Sequence, residues 1–227
     1  MSLWTRISEA LSALASGEGL SAVFDRLRTS PERSVAFTIA VIALSAKMAK
    51  ADGQVTRDEV TAFRDVFQIA REDESGAARV FNLARQDVAG FEEYARRIKA
   101  MFGDDLAALQ DLMEGLFHIA MADGTYHPAE DAFLERVATI FELDARTFQG
   151  MRCRFVPDAK PDPYSVLGAS PDADLAEVQR LYRAAVRANH PDRMIARGVP
   201  AEAIKLAEKR MIDLNRAWED IQQAHGA

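Results

Sequence analysis

The sequence has little of what would tie it together covalently or carry it through a membrane. Its single cysteine, Cys153, excludes an internal disulfide framework and any cysteine-rich zinc module, and it fits a reducing, cytoplasmic setting. Only 8 prolines and 12 glycines occur in 227 residues, too few for long disordered arms. Positive charge is short as well: 28 Lys and Arg face 35 Asp and Glu, and the net charge of −7 argues against a general nucleic-acid binder. Met1 to Ser16 lacks a basic flank followed by an apolar core, so no secretory signal is expected. The most apolar stretch, Val35 to Ala46, is too short to span a bilayer and contains Thr38 and Ser45, so no transmembrane segment is expected. Runs of β-branched residues are rare while alanine is abundant. An all-α chain follows, of a length suited to one large domain or two modest ones.

Helical periodicity organises most of the sequence. Leu3, Trp4, Ile7, Leu11 and Leu14 form one face of an N-terminal amphipathic helix within residues 1–30. Packing on the body of the protein, or self-association, is the expected role of that face. A peripheral membrane contact through Trp4 is the alternative, weakened because Arg6 alone supplies positive charge there. Residues 31–155 read as a helical bundle. Its first long helix, from Pro31 to about Ala51, is apolar nearly all round and belongs in the middle. Further helices are expected over 57–69, 77–86 and 91–101, from Asp104-Asp105 to Asp123-Gly124, from Pro128 to Phe141, and after Asp144.

The bundle repeats itself. Ala51-Asp52-Gly53 returns as Ala122-Asp123-Gly124, 71 positions later, and at the same offset Glu59 matches Glu130, Val66 matches Val137 and Ile69 matches Ile140. Gly53 and Gly124 suit a left-handed residue past a helix end. Thr56 and Glu59 have capping-box spacing, and Pro128 and Glu130 take the first and third positions of their helix behind His127 as N-cap. Capping leaves Asp52 and Asp123 unexplained, because a carboxylate at a helix C-terminus opposes the dipole. The duplicated turn, with a Glu seven residues after each Asp, resembles the TerB-like family of all-helical domains over about residues 32–150. The resemblance implies an acidic cluster able to hold a divalent cation, with Asp52, Glu59, Asp123 and Glu130 as the matching positions. The competing role for these four is helix capping alone. His118 and His127 have no His or Cys companion at ligand spacing and are expected to be structural. No nucleophile elbow, phosphate loop, catalytic carboxylate pair or zinc signature occurs, so an enzyme is not expected.

Pro157, Pro161 and Pro163 mark residues 156–163 as a linker. Residues 164–227 then specify a helical hairpin. Asp174 and Glu177 cap a helix whose apolar stripe is Leu175, Val178, Leu181, Tyr182, Ala185 and Val186. Arg180, Arg183 and Arg187 lie opposite, as a basic stripe facing solvent. His190-Pro191 ends that helix, a loop of about nine residues is expected to Val199, and Pro200 starts a helix striped by Ile204, Ala207, Met211, Leu214, Trp218 and Ile221. The two long helices must pack antiparallel, with residues 190–193 exposed at the tip.

The ordered elements Asp162-Pro163-Tyr164-Ser165-Val166-Leu167-Gly168, Leu181-Tyr182-Arg183, His190-Pro191-Asp192 and Asn215-Arg216-Ala217-Trp218-Glu219 resemble a J domain, the module of DnaJ-type co-chaperones. Met194 to Pro200 further resembles the DjlA-type J proteins, which join a TerB-like domain to a C-terminal J domain. Those proteins usually carry an N-terminal membrane anchor. None is read in this chain, and membrane localisation is not carried over. The resemblance implies a partner, a DnaK-type chaperone whose ATP hydrolysis is stimulated. Arg180, Arg183 and Arg187 would meet its acidic surface, and His190, Pro191, Asp192 and Arg193 would dock near its ATPase domain and interdomain linker, with Asp192 facing a chaperone arginine. An unknown client or adaptor would bind the N-terminal bundle. A metal- or stress-responsive interaction module dominated by the bundle is the alternative.

Overall fold

The computed structural model describes residues 3–12, 33–52, 74–86, 90–156, 162–200 and 205–226. Eleven helices and no strand occur among them: α1 Leu3–Ser12, α2 Arg33–Asp52, α3 Glu74–Gln86, α4 Phe91–Phe102, α5 Leu106–Ala120, α6 Pro128–Ile140, α7 Ala145–Phe155, α8 Pro163–Val166, α9 Leu175–Ala188, α10 Pro191–Ala196 and α11 Lys205–Ala224. The helix expected over 57–69, with Gly53, Thr56 and Glu59, lies outside the described residues.

Helix α2 occupies the centre, as its apolar circumference requires. It contacts α1, α3, α4, α5 and α6, and its apolar side chains from Val35 to Ala49 are buried. Polar groups carried into this interior are satisfied locally. Thr38 Oγ1 donates to Ser34 O at 3.0 Å and Ser45 Oγ to Val41 O at 2.8 Å, each hydroxyl closing onto the carbonyl one turn back. The Lys47 ammonium lies 4.7 Å from the centre of the Tyr94 ring, a face that attracts a cation. Leu3, Trp4 and Ile7 of α1 are buried in the same core, Trp4 at 3% exposure. Burial of these three fits the packing role, with the Trp4 ring inside the core, while the side chains of Leu11 and Leu14 lie outside the described residues. No described helix is long and apolar enough to cross a membrane.

Three local devices set the second half of the bundle. Asp105 caps α5 by accepting from Ala108 N at 3.1 Å, and its other oxygen meets Arg33 Nη2 at 2.9 Å. Asp144 caps α7, accepting from Thr147 N at 2.9 Å and Thr147 Oγ1 at 2.7 Å. Phe117 of α5 gathers α7 onto the bundle, with the Phe148 and Phe155 rings each centred 5.6 Å away.

The C-terminal hairpin has a smaller core of its own around Leu167, Val178, Leu214, Ala217 and Ile221. Tyr182 stacks on Trp218 with ring centres 5.3 Å apart and donates to Asn215 Oδ1 at 3.0 Å. Asn189, seven residues further along α9's direction, meets Arg210. Partner numbers fall as α9 advances, so α9 and α11 run antiparallel. The hairpin does not stand clear of the bundle. Met194, Val199, Leu206 and Ala207 belong to the bundle's core, and the Lys209 ammonium sits 4.7 Å from the Phe155 ring. Gly150 of α7 approaches α8 so closely that a Cβ there would lie 2.6 Å from the Ser165 carbonyl oxygen.

Candidate functional site: the His190-Pro191-Asp192 turn and its anchorage

Helix α9 ends at Ala188, where Asn189 turns its amide back to donate to Ala185 O at 2.7 Å. The nine-residue loop expected next is instead a six-residue helix, α10, with His190 as N-cap and Pro191 at its first position. The reason is local. Proline cannot continue α9, but its fixed φ and missing N–H suit the first position of a new helix. His190 has extended backbone (φ −62°, ψ 135°), and its Nδ1 accepts from Asp192 N at 3.3 Å. The Asp192 carboxylate stands 3.6 Å from the ring and is 88% exposed, against 61% for His190. Both groups, with Arg193, are therefore presented to solvent, on a backbone fixed by the first turn of α10.

The basic face lies where its periodicity places it. Arg180, Arg183 and Arg187 of α9 are all exposed. The Arg180 guanidinium is engaged in a fork with Glu177, at 2.7 Å to each oxygen. Hydrogen bonding to that fork holds the Glu177 carboxyl below its ordinary range. A partner must therefore compete with Glu177 for Arg180.

In the acidic turn of the second repeat, both acids accept backbone hydrogen bonds. Helix α5 closes at Ala120, so Asp123 stands beyond the helix end rather than against its dipole. Asp123 Oδ1 accepts from Thr125 N at 2.8 Å, and Oδ2 lies 3.8 Å from His127 Nε2. Gly124 has φ +81°, the left-handed conformation expected of it. Glu130 is buried and accepts from His127 N at 2.9 Å, the reciprocal half of a capping box. Asp52 ends α2, its side chain lying outside the described residues, as does Glu59. Among the described residues no group of three or more His, Cys, Asp or Glu could hold a metal ion.

Periodicity alone missed the groups on which the turn rests. Asp111 and Glu114 of α5, at 0% and 2% exposure, meet three arginines from the rest of the chain. Arg210 Nη1 donates to Asp111 Oδ1 at 2.9 Å and Nε to Glu114 Oε2 at 2.7 Å. Arg197 Nη2 donates to Asp111 Oδ2 at 2.8 Å, and Arg154 Nη2 pairs with Glu114 Oε1. Planar guanidinium forks suit this cluster because each can serve several acceptors at once. For Glu114, burial favours the neutral acid, but Arg154 and then Arg210 outweigh it and hold the carboxyl below the ordinary range. The signal was present in the sequence: Asp111 and Glu114 are the two acids of a mostly apolar helix, Leu106 to Ala120, and Arg210 falls on the apolar face of Ala207 and Leu214.

An all-helical bundle carrying a helical hairpin, with a His-Pro-Asp turn exposed at the tip and a basic face beside it, is thus the class of molecule that the fold and site define. The chain belongs to the TerB family, the family of tellurite resistance protein TerB, whose profile matches residues 38–153. Over nearly its whole length it is similar to proteins named co-chaperone protein DjlA. That of Vibrio cholerae is 27% identical over 238 residues, covering 91% of this chain and 84% of the relative. That of Vibrio parahaemolyticus is 26% identical over 235 residues, covering 89% and 83%. The protein of that name from Legionella pneumophila is 37% identical over 78 residues, 34% of this chain and 26% of the relative. No solved structure matches the chain significantly.

Proposed function

We propose that the protein is a DnaJ-type co-chaperone that stimulates ATP hydrolysis by a DnaK-type chaperone. The observation that carries this reading is the exposed His190-Pro191-Asp192 turn at the tip of the antiparallel α9/α11 pair, flanked by the exposed arginines of α9. In this reading the protein makes and breaks no bonds itself. Arg180, Arg183 and Arg187 attract an acidic surface and raise the encounter rate. Asp192 offers an exposed carboxylate to an arginine of the partner, where a charge-assisted fork is strong and directional. Pro191 removes one backbone freedom from the turn and His190 ties down another through Asp192 N. Hydrolysis is then promoted because the turn binds one conformation of the chaperone better than the other and shifts its equilibrium. The bundle supplies a second face, for a client or adaptor delivered to the chaperone.

Asp192→Asn is the test. It removes the charge, keeps the shape, and alters an exposed group whose side chain supports nothing in the fold. Stimulation of a purified DnaK-type chaperone's ATPase is expected to be lost, with helical content and melting temperature unchanged. Full stimulation by the variant would sink the mechanism. Pull-downs with the two forms then sort partners: those lost with Asp192→Asn bind the turn, and those retained bind elsewhere.

A further inference from the structure

The chain entering the His190-Pro191-Asp192 turn and the chain leaving it are both held by arginines that share one carboxylate of the bundle. On the entry side, Arg197 Nη1 donates to Ala188 O at 2.8 Å, and Arg210 Nη1 is bonded to Asn189 Oδ1. These are the two residues before His190. The same two guanidinium groups end on Asp111: Arg197 through Nη2 at 2.8 Å and Nε at 3.2 Å, Arg210 through Nη1 at 2.9 Å. On the exit side, Arg197 itself caps α10, and Met194 and Val199 are buried in the bundle core. Gly198, at φ +98°, passes so close to α2 that a Cβ there would lie 2.6 Å from Arg33 Cβ. Between these fixed ends, His190, Asp192 and Arg193 are exposed to solvent on the first turn of α10.

We infer that Asp111, acting through Arg197 and Arg210, is a positioning residue for the His190-Pro191-Asp192 turn, so that the bundle sets where the turn points. This inference rests on the co-chaperone reading for its functional consequence, while its structural half stands on the contacts alone. Asp111 touches no partner. Its part is to keep the turn in one arrangement. A turn that occupies the binding-competent arrangement only a fraction of the time binds more weakly by that fraction, yet acts fully once saturated. Positioning therefore separates from recognition in a titration. Loss of Asp192 removes the maximal effect, whereas loss of the anchor raises the concentration needed to reach it.

The experiment uses the full chain. Asp111→Asn leaves buried arginines short of a counterion and can unfold the protein, so Arg197→Met, at the edge of the cluster, is made beside it, with Arg197→Lys as the conservative variant. Hydrogen exchange is read at the amides of Met194, residue 197 and Val199, which donate within α10 and its closing turn, with amides of α4 and α6 as controls. Arg197→Met is expected to speed exchange at the three probes by about tenfold while the controls stay unchanged. It is also expected to raise the half-saturating concentration for ATPase stimulation by about tenfold with the maximum retained, and Arg197→Lys to fall between. Unchanged exchange at the probes would overturn the inference. So would faster exchange with an unaltered half-saturating concentration. Should the wild-type chain stimulate no DnaK-type ATPase, the co-chaperone reading fails, and the exchange rates still decide whether the cluster holds the turn.

Discussion

Arg210 Nε donates to Glu114 Oε2 at 2.7 Å, joining helices α11 and α5 across 96 positions of sequence. Neither side chain has appreciable access to water, so neither can exchange this partner for solvent. Removing one member of such a pair leaves a buried charge uncompensated, which costs more than the intact pair contributes. Glu114→Ala is expected to lower stability by roughly 3–5 kcal/mol, because it orphans Arg154 as well as Arg210. Urea unfolding monitored by circular dichroism measures it. A loss below about 1 kcal/mol, the size of a solvent-exposed pair, would contradict the burial of this cluster.

The same carboxylate makes stability sensitive to acid. Its folded-state pKa is held below the ordinary 4.5 although burial acts in the opposite direction, because Arg154 and Arg210 prevail. Asp144 is also lowered, first by the Thr147 hydroxyl and then by the Thr147 amide. With a depressed folded value, the unfolded chain binds the proton more readily. The contribution is complete above the unfolded value and is lost as the pH falls through the folded one. The melting temperature of the wild-type chain is expected to drop as the pH is lowered beneath 4.5, and that of Glu114→Gln to drop less over the same interval. Parallel curves for the two proteins would show that Glu114 is not held ionised by its arginines.

Two glycines within helices should respond to alanine with opposite signs. Alanine ordinarily gains about 1 kcal/mol over glycine in a helix. At Gly115 the added Cβ would meet Val41 Cγ2 at 3.5 Å and Leu206 Cδ1 at 4.0 Å, ordinary contacts, so Gly115→Ala is expected to stabilise. At Gly150 it would meet the Ser165 carbonyl oxygen at 2.6 Å, and a backbone atom has no rotamer by which to move away. Gly150→Ala is expected to cost about 1–3 kcal/mol despite its better helix propensity, through the separation of α7 from α8. Chemical denaturation of the two variants in parallel checks both signs.

Divalent cations bear on the duplicated turn. Asp123 and Glu130 already accept from Thr125 N and His127 N. Both bonds leave the other carboxylate oxygen of each residue able to accept, so calcium, magnesium or manganese at this turn would share Asp123 and Glu130 with the backbone. The melting temperature is expected to stay constant when each cation is added at millimolar concentration. A rise that saturates with cation and disappears in Asp123→Asn would establish a bound metal.

Much of the architecture was legible because periodicity and caps agree locally. Asp105, Asp144 and Asp174 each start a helix where their spacing predicts, and Tyr182 and Trp218 fall on the facing stripes that bring them together. The exposure of His190 and Asp192 followed from a helix break between two antiparallel stripes. What was missed depends on long-range partners. Pro191 reads equally as the end of one helix or the first position of the next, and Asp192 N bonding to the His190 ring tips it toward the second. Asp111 and Glu114 acquire their role only through Arg154, Arg197 and Arg210 from elsewhere in the chain. Helical spacing can place an acid on an apolar face, but it cannot name a counterion 86 or 99 residues away.

The location of Met194, Val199, Leu206 and Ala207 in one core with Leu3 and Trp4 also bears on the order in which this protein is made. A ribosome delivers the N-terminal helices first, and domains generally fold as they emerge. Here the early helices cannot complete their interior until the segment from Met194 to Ala207 has left the exit tunnel, roughly seconds later at ordinary synthesis rates. A chain stalled or cut before Met194 would leave uncovered the part of the core that Met194, Val199, Leu206 and Ala207 fill, and would leave Asp111 without Arg197 and Arg210. The nascent protein would itself then be a substrate for the chaperone machinery it is proposed to serve.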